Sequence, residues 1–235
     1  KLGFSGMGNV LVTKNARVSI EQARFKDINT VAIKTEQGKT VVIIEDTLID
    51  NARKGIYLQA GTRAEIEDLQ VINGREEGID IRENVSGFVR DSEFRGNAES
   101  GVEIVLGSAE FTLSGNAFTN NGASGISAQF FDGASKLGNV RIEGNTFSKN
   151  NYGVNCKAPS GNLDSKLYYL NSLNITNNTY KENRIADIAS ACRILTDEER
   201  ATLAADEAKQ EALEVSRTAS LALTDTALQA RLTQA

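Results

Sequence analysis

Histidine is absent from this chain, and with it any chemistry that depends on an imidazole. Proline occurs once, at Pro159, and cysteine twice, at Cys156 and Cys192. Two thiols allow at most one internal disulfide, and sequence spacing leaves a bridge and a pair of buried thiols equally open. A basic excess is missing too. The formal charge is -5 and the pI near 5.0, which argues against nucleic acid and anionic membrane surfaces as main partners. No apolar run is long enough to span a bilayer. The sequence opens with neither a signal peptide nor a methionine, so a leader or further turns are expected upstream of Lys1.

What the chain does have is repetition. One phrase returns five times: Gly55-Ile56-Tyr57-Leu58, Gly78-Ile79-Asp80-Ile81, Gly101-Val102-Glu103-Ile104, Gly125-Ile126-Ser127-Ala128 and Gly153-Val154-Asn155-Cys156. Between the copies stand leading apolar residues at Ile20, Ile44, Ile66, Val89, Leu113, Ile142 and Ile175, the first five spaced by 22 to 24 residues. A period of this length marks stacked units that cannot bury a face alone. Within a unit apolar residues alternate, as in Val42/Ile44 and Ile79/Ile81, which is the pattern of a strand with one buried face. No unit has room for a crossover helix of about ten residues. Short strands wound into a coil satisfy both facts, each pairing in parallel with its copy about 4.8 Å along the axis.

Like residues then stack in columns. Five positions after each leading apolar come Phe25, Ile49, Val71, Phe94, Phe118, Phe147 and Tyr180, an interior file. Three further on come Asn97, Asn121, Asn150 and Asn183, and a second file holds Asn116, Asn145 and Asn178. Asparagine amides at rung spacing can bond to one another. The glycines that open the repeated phrase are expected where the chain bends sharply.

These columns resemble the repeats of the pectin-lyase-like, right-handed β-helix superfamily, over about residues 8–190. The resemblance implies an all-β fold: a right-handed single-stranded parallel β-helix of about seven turns. That superfamily holds lyases, hydrolases, epimerases and tailspikes, so fold alone does not select an activity.

Residues 1–7 read as irregular. Two excursions leave the coil at one corner, after Ala128 and after Cys156. The composition changes after about Leu195: no glycine follows Gly161, no asparagine follows Asn183, and residues 201–235 contain ten alanines. Thr196 with Glu199 forms a capping box. The expected division is therefore a β-helix over 1–195 and a C-terminal α-helical segment over 196–235, serving as a cap or joining copies into a homo-oligomer.

Four groups of residues are candidates for chemistry. The outward file of the repeated phrase contains Tyr57, Asp80 and Glu103, with Arg82 and Lys157 two residues on, and the resemblance puts the active-site groove of the superfamily's enzymes on this sheet. Glu77 and Glu99 precede the glycines. Glu77-Gly78-Ile79-Asp80-Ile81 resembles a polygalacturonase segment, but the paired Asp and the Gly-His-Gly that follow there are missing, and His-dependent epimerisation is excluded. Asp46, Asp68 and Asp91 form an acidic file that calcium, a cation preferring oxygen ligands, would suit as metal ligands. Phe131, Tyr168 and Tyr169, in the two excursions with Phe130, are positioned to stack on sugar rings. The expectation is an exported, non-catalytic module that binds polysaccharide or serves a surface assembly. The alternative is a lyase cleaving an acidic polysaccharide by calcium-assisted β-elimination with an Arg or Lys base.

Overall fold

The computed structural model describes residues 2–6, 8, 10–129, 138–157 and 172–192, with four isolated positions beyond them. The chain divides into two units, Lys1–Arg193 and Ile194–Ala235. The second falls almost wholly outside the described residues, and the helical segment expected over 196–235 is not supported.

The first unit is a parallel β-solenoid with three faces. One sheet holds Leu2–Ser5, Ala23–Lys26, Thr47–Asp50, Leu69–Ile72, Glu93–Arg95, Ala117–Thr119, Thr146–Ser148 and Thr179–Lys181. A second holds Leu11–Thr13, Val31–Thr35, Lys54–Leu58, Ile79–Ile81, Ser100–Val105, Ser124–Gln129, Tyr152–Cys156 and Ala186–Ile188. The third holds Arg17–Glu21, Thr40–Glu45, Thr62–Glu67, Ser86–Arg90, Glu110–Ser114, Asn139–Glu143 and Leu173–Thr176. Each strand pairs with its copy one turn away, and the leading apolars stack in register as Ile44, Ile66, Val89, Leu113, Ile142 and Ile175. Residues 2–5, expected to be irregular, form a strand instead, and Phe4 stacks on Phe25 at 5.1 Å. The signal was there: Phe4 precedes Phe25 by one short turn. Among the described residues no helix is long and apolar enough to cross a membrane.

Two interior devices hold the turns together. Phe94, Phe118, Phe147 and Tyr180 stack at 5.0, 5.0 and 5.3 Å between ring centroids, in near-parallel planes that add ring–ring attraction to burial. On either side of the first sheet runs a buried asparagine ladder. Asn97 Nδ2 donates to Asn121 Oδ1, and Asn121 Nδ2 to Asn150 Oδ1, each at 3.0 Å. Asn116 donates to Asn145 at 3.0 Å, and Asn145 to Asn178 at 3.1 Å. The same amides donate to carbonyls of the preceding turn, as Asn121 does to Phe94, and their oxygens accept backbone N–H groups, as Asn121 Oδ1 does from Asn97. Corner polar groups that would otherwise be stranded from water are thereby satisfied.

The repeated glycines are needed for a reason other than the one expected. None of Gly55, Gly78, Gly101, Gly125 and Gly153 has positive φ. A Cβ on Gly101 would stand 2.6 Å from Phe118 Cδ1, and one on Gly153 2.8 Å from Tyr180 Cδ1. The aromatic stack occupies the space a side chain would take. Positive φ falls instead at the other corners: at Asn15, Gly38, Gly61, Asn84 and Ser108 between the second sheet and the third, and along two regular files. Gln22, Asp46, Asp68, Asp91, Gly115, Gly144 and Asn177 link the third sheet to the first, and Asp27, Asn51, Asn73, Gly96, Asn120, Lys149 and Glu182 link the first to the second.

Cys156 and Cys192 are disulfide-bonded, with Cα atoms 5.2 Å apart and a sequence separation of 36. Both are buried. The bond ties the short 3-10 turn Ser190–Cys192 to the strand Tyr152–Cys156.

Two outcomes test this account. Asn121→Ala deletes one rung and orphans partners on both neighbours, so it should lower unfolding stability in denaturant by about 3 kcal/mol. An unchanged midpoint would remove the ladder as a stabilising element. Replacing both cysteines by serine should cost roughly 3–4 kcal/mol through the 36-residue loop the bond closes, measured in the same titration.

Candidate functional site

The second sheet carries an outward file in strict register: Tyr57, Asp80, Glu103, Ser127 and Asn155. Outward positions on a β-helix are ordinarily solvated. Here Asp80 is 3% exposed, Glu103 6% and Ser127 1%, and Glu77, just before the strand, is 6% exposed. Burial of charge at such depth demands partners.

Cations supply them. Lys54 Nζ lies 2.5 Å from Asp80 Oδ2 and 3.1 Å from Glu77 Oε2. Arg82 Nη1 is 3.6 Å from Asp80 Oδ1. Lys157 pairs with Glu103 Oε2, while Gln129 Nε2 donates to Glu103 Oε1 at 2.6 Å. Tyr57, half-buried, presents its ring 5.3 Å from Lys54 Nζ. Register produces this assembly, because Lys54 and Glu77 stand at equivalent positions two residues before Ile56 and Ile79, which pair directly. Tyr57, Asp80, Arg82, Glu103 and Lys157 therefore meet on one face, as the sequence predicts. Lys54 escapes sequence reasoning. Writing the strand register back by two residues would have placed it against Glu77.

Glu77 and Glu99 are also brought together, sharing a hydrogen bond between their carboxyls. Burial works to raise the Glu77 carboxyl, but its backbone hydrogen bond, the Lys54 charge and the Glu99 hydrogen bond outweigh it, so it lies below 4.5. Glu99 reaches the surface. Partial loss of water, then the hydrogen bond and negative charge of Glu77, push its carboxyl up to about 7. Burial works to lower Lys54, but the hydrogen bonds and charges of Asp80 and Glu77 prevail and raise it above 10.5. Glu99 thus stays largely protonated up to about pH 6, while Glu77 beside it is ionised.

Three buried side-chain oxygens on this face make no hydrogen bond: Glu77 Oε2, Asp80 Oδ1 and Ser127 Oγ. The first two lie within ion-pair range of Lys54 and Arg82. Only one other such atom, Tyr180 Oη, occurs among the described residues. Three of the four such atoms therefore lie on this face, two of them in ion pairs.

The remaining candidates fare differently. Asp46, Asp68 and Asp91 do form a file, and a shallow groove of about 600 Å³ runs past them. All three are exposed, and each takes positive φ, between 45 and 51°. That corner favours Asp, Asn or Gly for backbone reasons alone. Among the described residues no group of three or more acidic or thiol side chains is arranged to hold a metal ion. Arg90 Nη2 meets Glu67 at 2.6 Å and offsets the acidic file from its flank. Phe131, Tyr168 and Tyr169 lie outside the described residues.

The proton pair predicts a pH dependence. The folded state binds the Glu99 proton more tightly than the unfolded chain, so ionisation of Glu99 weakens folding. The penalty grows as pH rises from about 4.5 towards 7 and is complete above it. Glu99→Gln should raise the melting temperature relative to the natural chain at pH 8 and leave it nearly unchanged at pH 4. Equal shifts at both values would break the link to Glu99.

A family model described as right handed beta helix region matches residues 2–118. No curated protein matches the chain, and neither does any solved structure. The matched segment covers the turns that carry Glu77, Asp80, Glu99 and Glu103, and the same columns continue through the turns beyond it. The chain is a right-handed parallel β-helix repeat protein.

Proposed function

We propose that this protein is an exported saccharide-binding module whose site is the outer face of the second sheet, between Lys54 and Lys157. The observation that carries this reading is the pair of buried carboxylates at Glu77 and Asp80, held by Lys54 and Arg82 next to the half-buried ring of Tyr57, with the buried Ser127 hydroxyl further along the same file. Sugar hydroxyls suit such a mixture of carboxylates, cations and a hydroxyl, and a flat ring face next to it suits a pyranose. A chain of parallel rungs also repeats its surface about every 4.8 Å, which fits an extended polymer better than a compact ligand. Export is supported by the Cys156–Cys192 disulfide, a bond that persists in oxidising compartments.

Calcium-assisted β-elimination finds less support at this face. A general base works best with a pKa near the operating pH, and Lys54 is displaced in the opposite direction. One observation favours a second reading, acid–base catalysis: the Glu77–Glu99 pair holds a proton near neutrality next to a carboxyl that does not.

Titration calorimetry against neutral, acidic and amino oligosaccharides tests the binding reading. At least one should bind, and Tyr57→Ala should weaken it about tenfold. Silence across the panel would leave a structural role in a surface assembly. The same mixtures scored for new reducing ends test catalysis, and turnover abolished by Glu99→Gln would establish it.

A further inference from the structure

We propose that Asn84, Asn174 and Asn177 are acceptors for N-linked glycans, carried on the third sheet and its corners. The proposal rests on the export part of the reading above and adds a modification which that reading does not contain.

The sequence holds the pattern Asn-X-Ser/Thr three times, as Asn84-Val85-Ser86, Asn174-Ile175-Thr176 and Asn177-Asn178-Thr179. In an exported chain this pattern marks an acceptor amide. What singles out these three is how the fold uses its other asparagines. The corner residues Asn15, Asn51, Asn73 and Asn120 hydrogen-bond through their side chains. The ladder amides bond from rung to rung, and Asn151 donates to the Gly122 carbonyl. None of these engaged asparagines has a serine or threonine two positions on. Asn84, Asn174 and Asn177 do, and all three are exposed. Among the described residues their side chains make no hydrogen bond, and neither do the hydroxyls of Ser86, Thr176 and Thr179. Amide and hydroxyl are thus both free at each of the three patterns.

Their placement agrees with this role. Asn84 and Asn177 stand at corners, with φ of 57° and 55°. The corner at Asn84 is held by main chain alone: its carbonyl accepts from Gly61 N–H, and its own N–H donates to the Gly107 carbonyl. Asn84 and Ser86 open onto a shallow hollow of about 440 Å³, shared with Ser108 and Glu110, which gives room for a first sugar. Asn174 lies in Leu173–Thr176, the last strand of the third sheet among the described residues, and Asn177 follows it directly. The last strand of a sheet invites pairing with other chains, and a bulky glycan beside it hinders that approach. None of the three belongs to a strand of the second sheet.

In the transfer, the asparagine amide nitrogen bonds to the anomeric carbon of a lipid-pyrophosphate-linked oligosaccharide. The bond from that carbon to the pyrophosphate oxygen breaks, the lipid pyrophosphate leaves, and the amide gives up one proton to a base of the transferase. The compartment that performs this step is also one in which disulfides form, as Cys156–Cys192 has.

The test uses the full chain, secreted from mammalian cells behind a cleavable leader. Peptide N-glycosidase in heavy-oxygen water converts each occupied asparagine to a labelled aspartate, which peptide mass spectrometry locates. The expected result is label at Asn84 and at one or both of Asn174 and Asn177. None is expected at Asn29, Asn139 or Asn155, which are equally free of side-chain hydrogen bonds but lack the hydroxyl two positions on. Ser86→Ala should abolish the label at Asn84 as fully as Asn84→Gln does, while both variants melt like the deglycosylated natural chain. Secreted, disulfide-bonded protein without label at any of the three would overturn the glycan assignment alone. A chain retained in the cells without the Cys156–Cys192 bond would overturn it together with the export reading.

Discussion

Everything in this molecule depends on parallel, in-register pairing of each turn with the next. The constraint is stringent because the neighbour of any residue is its own counterpart, about 4.8 Å away. A residue type is therefore tolerated only if it can bear to touch itself. Apolar residues and flat rings meet that condition, and so do asparagine amides, which donate on one side and accept on the other. The buried columns consist of these: leading aliphatics, the Phe94–Tyr180 stack and the two asparagine ladders. Glycine enters because the neighbouring turn's carbonyl and the column of side chains beside it, rings at most turns and Val71 at Gly55, fill the place of its side chain.

Carboxylates and ammonium groups fail the condition, and the way the chain accommodates them defines the site. On the second sheet the outward file changes character with every turn, from Tyr57 to Asp80 to Glu103 to Ser127. Adjacent acids are separated electrostatically by cations that reach across rungs: Lys54 upwards to Glu77 and Asp80, Lys157 back to Glu103. Glu99, which none of these ion pairs includes, is pushed up to about 7 beside Glu77. A repeat protein is stabilised by regularity and acquires function where regularity is broken. The third-to-first-sheet corner shows the contrast. Its acids sit in water, their presence follows from backbone conformation, and they need no partner.

Much of the coil was legible in the residues because columns are a one-dimensional property. The interior file, both asparagine ladders and the alignment of Tyr57, Asp80 and Glu103 follow from counting positions. The strand at Leu2–Ser5 was obscured by Gly3 and Gly6, which mask a short alternation that Phe4 alone betrays. Lys54 was obscured for another reason: it lies before the repeated phrase, where the copies differ in charge and no column advertises itself.

The sequence by itself determined the winding, the register and the identity of the buried columns, because a period of 22 to 24 residues brings like residues together whatever the details of each turn. Only the tertiary structure decided three things. It joined Cys156 to Cys192, whose meeting depends on how the chain closes after its last turn. It buried Asp80 and Glu103 on a face that alternation alone assigns to solvent. It brought Glu77 against Glu99, driving one carboxyl down and the other up to about 7. Those outcomes turn on where long side chains reach across rungs, and side-chain reach is not periodic.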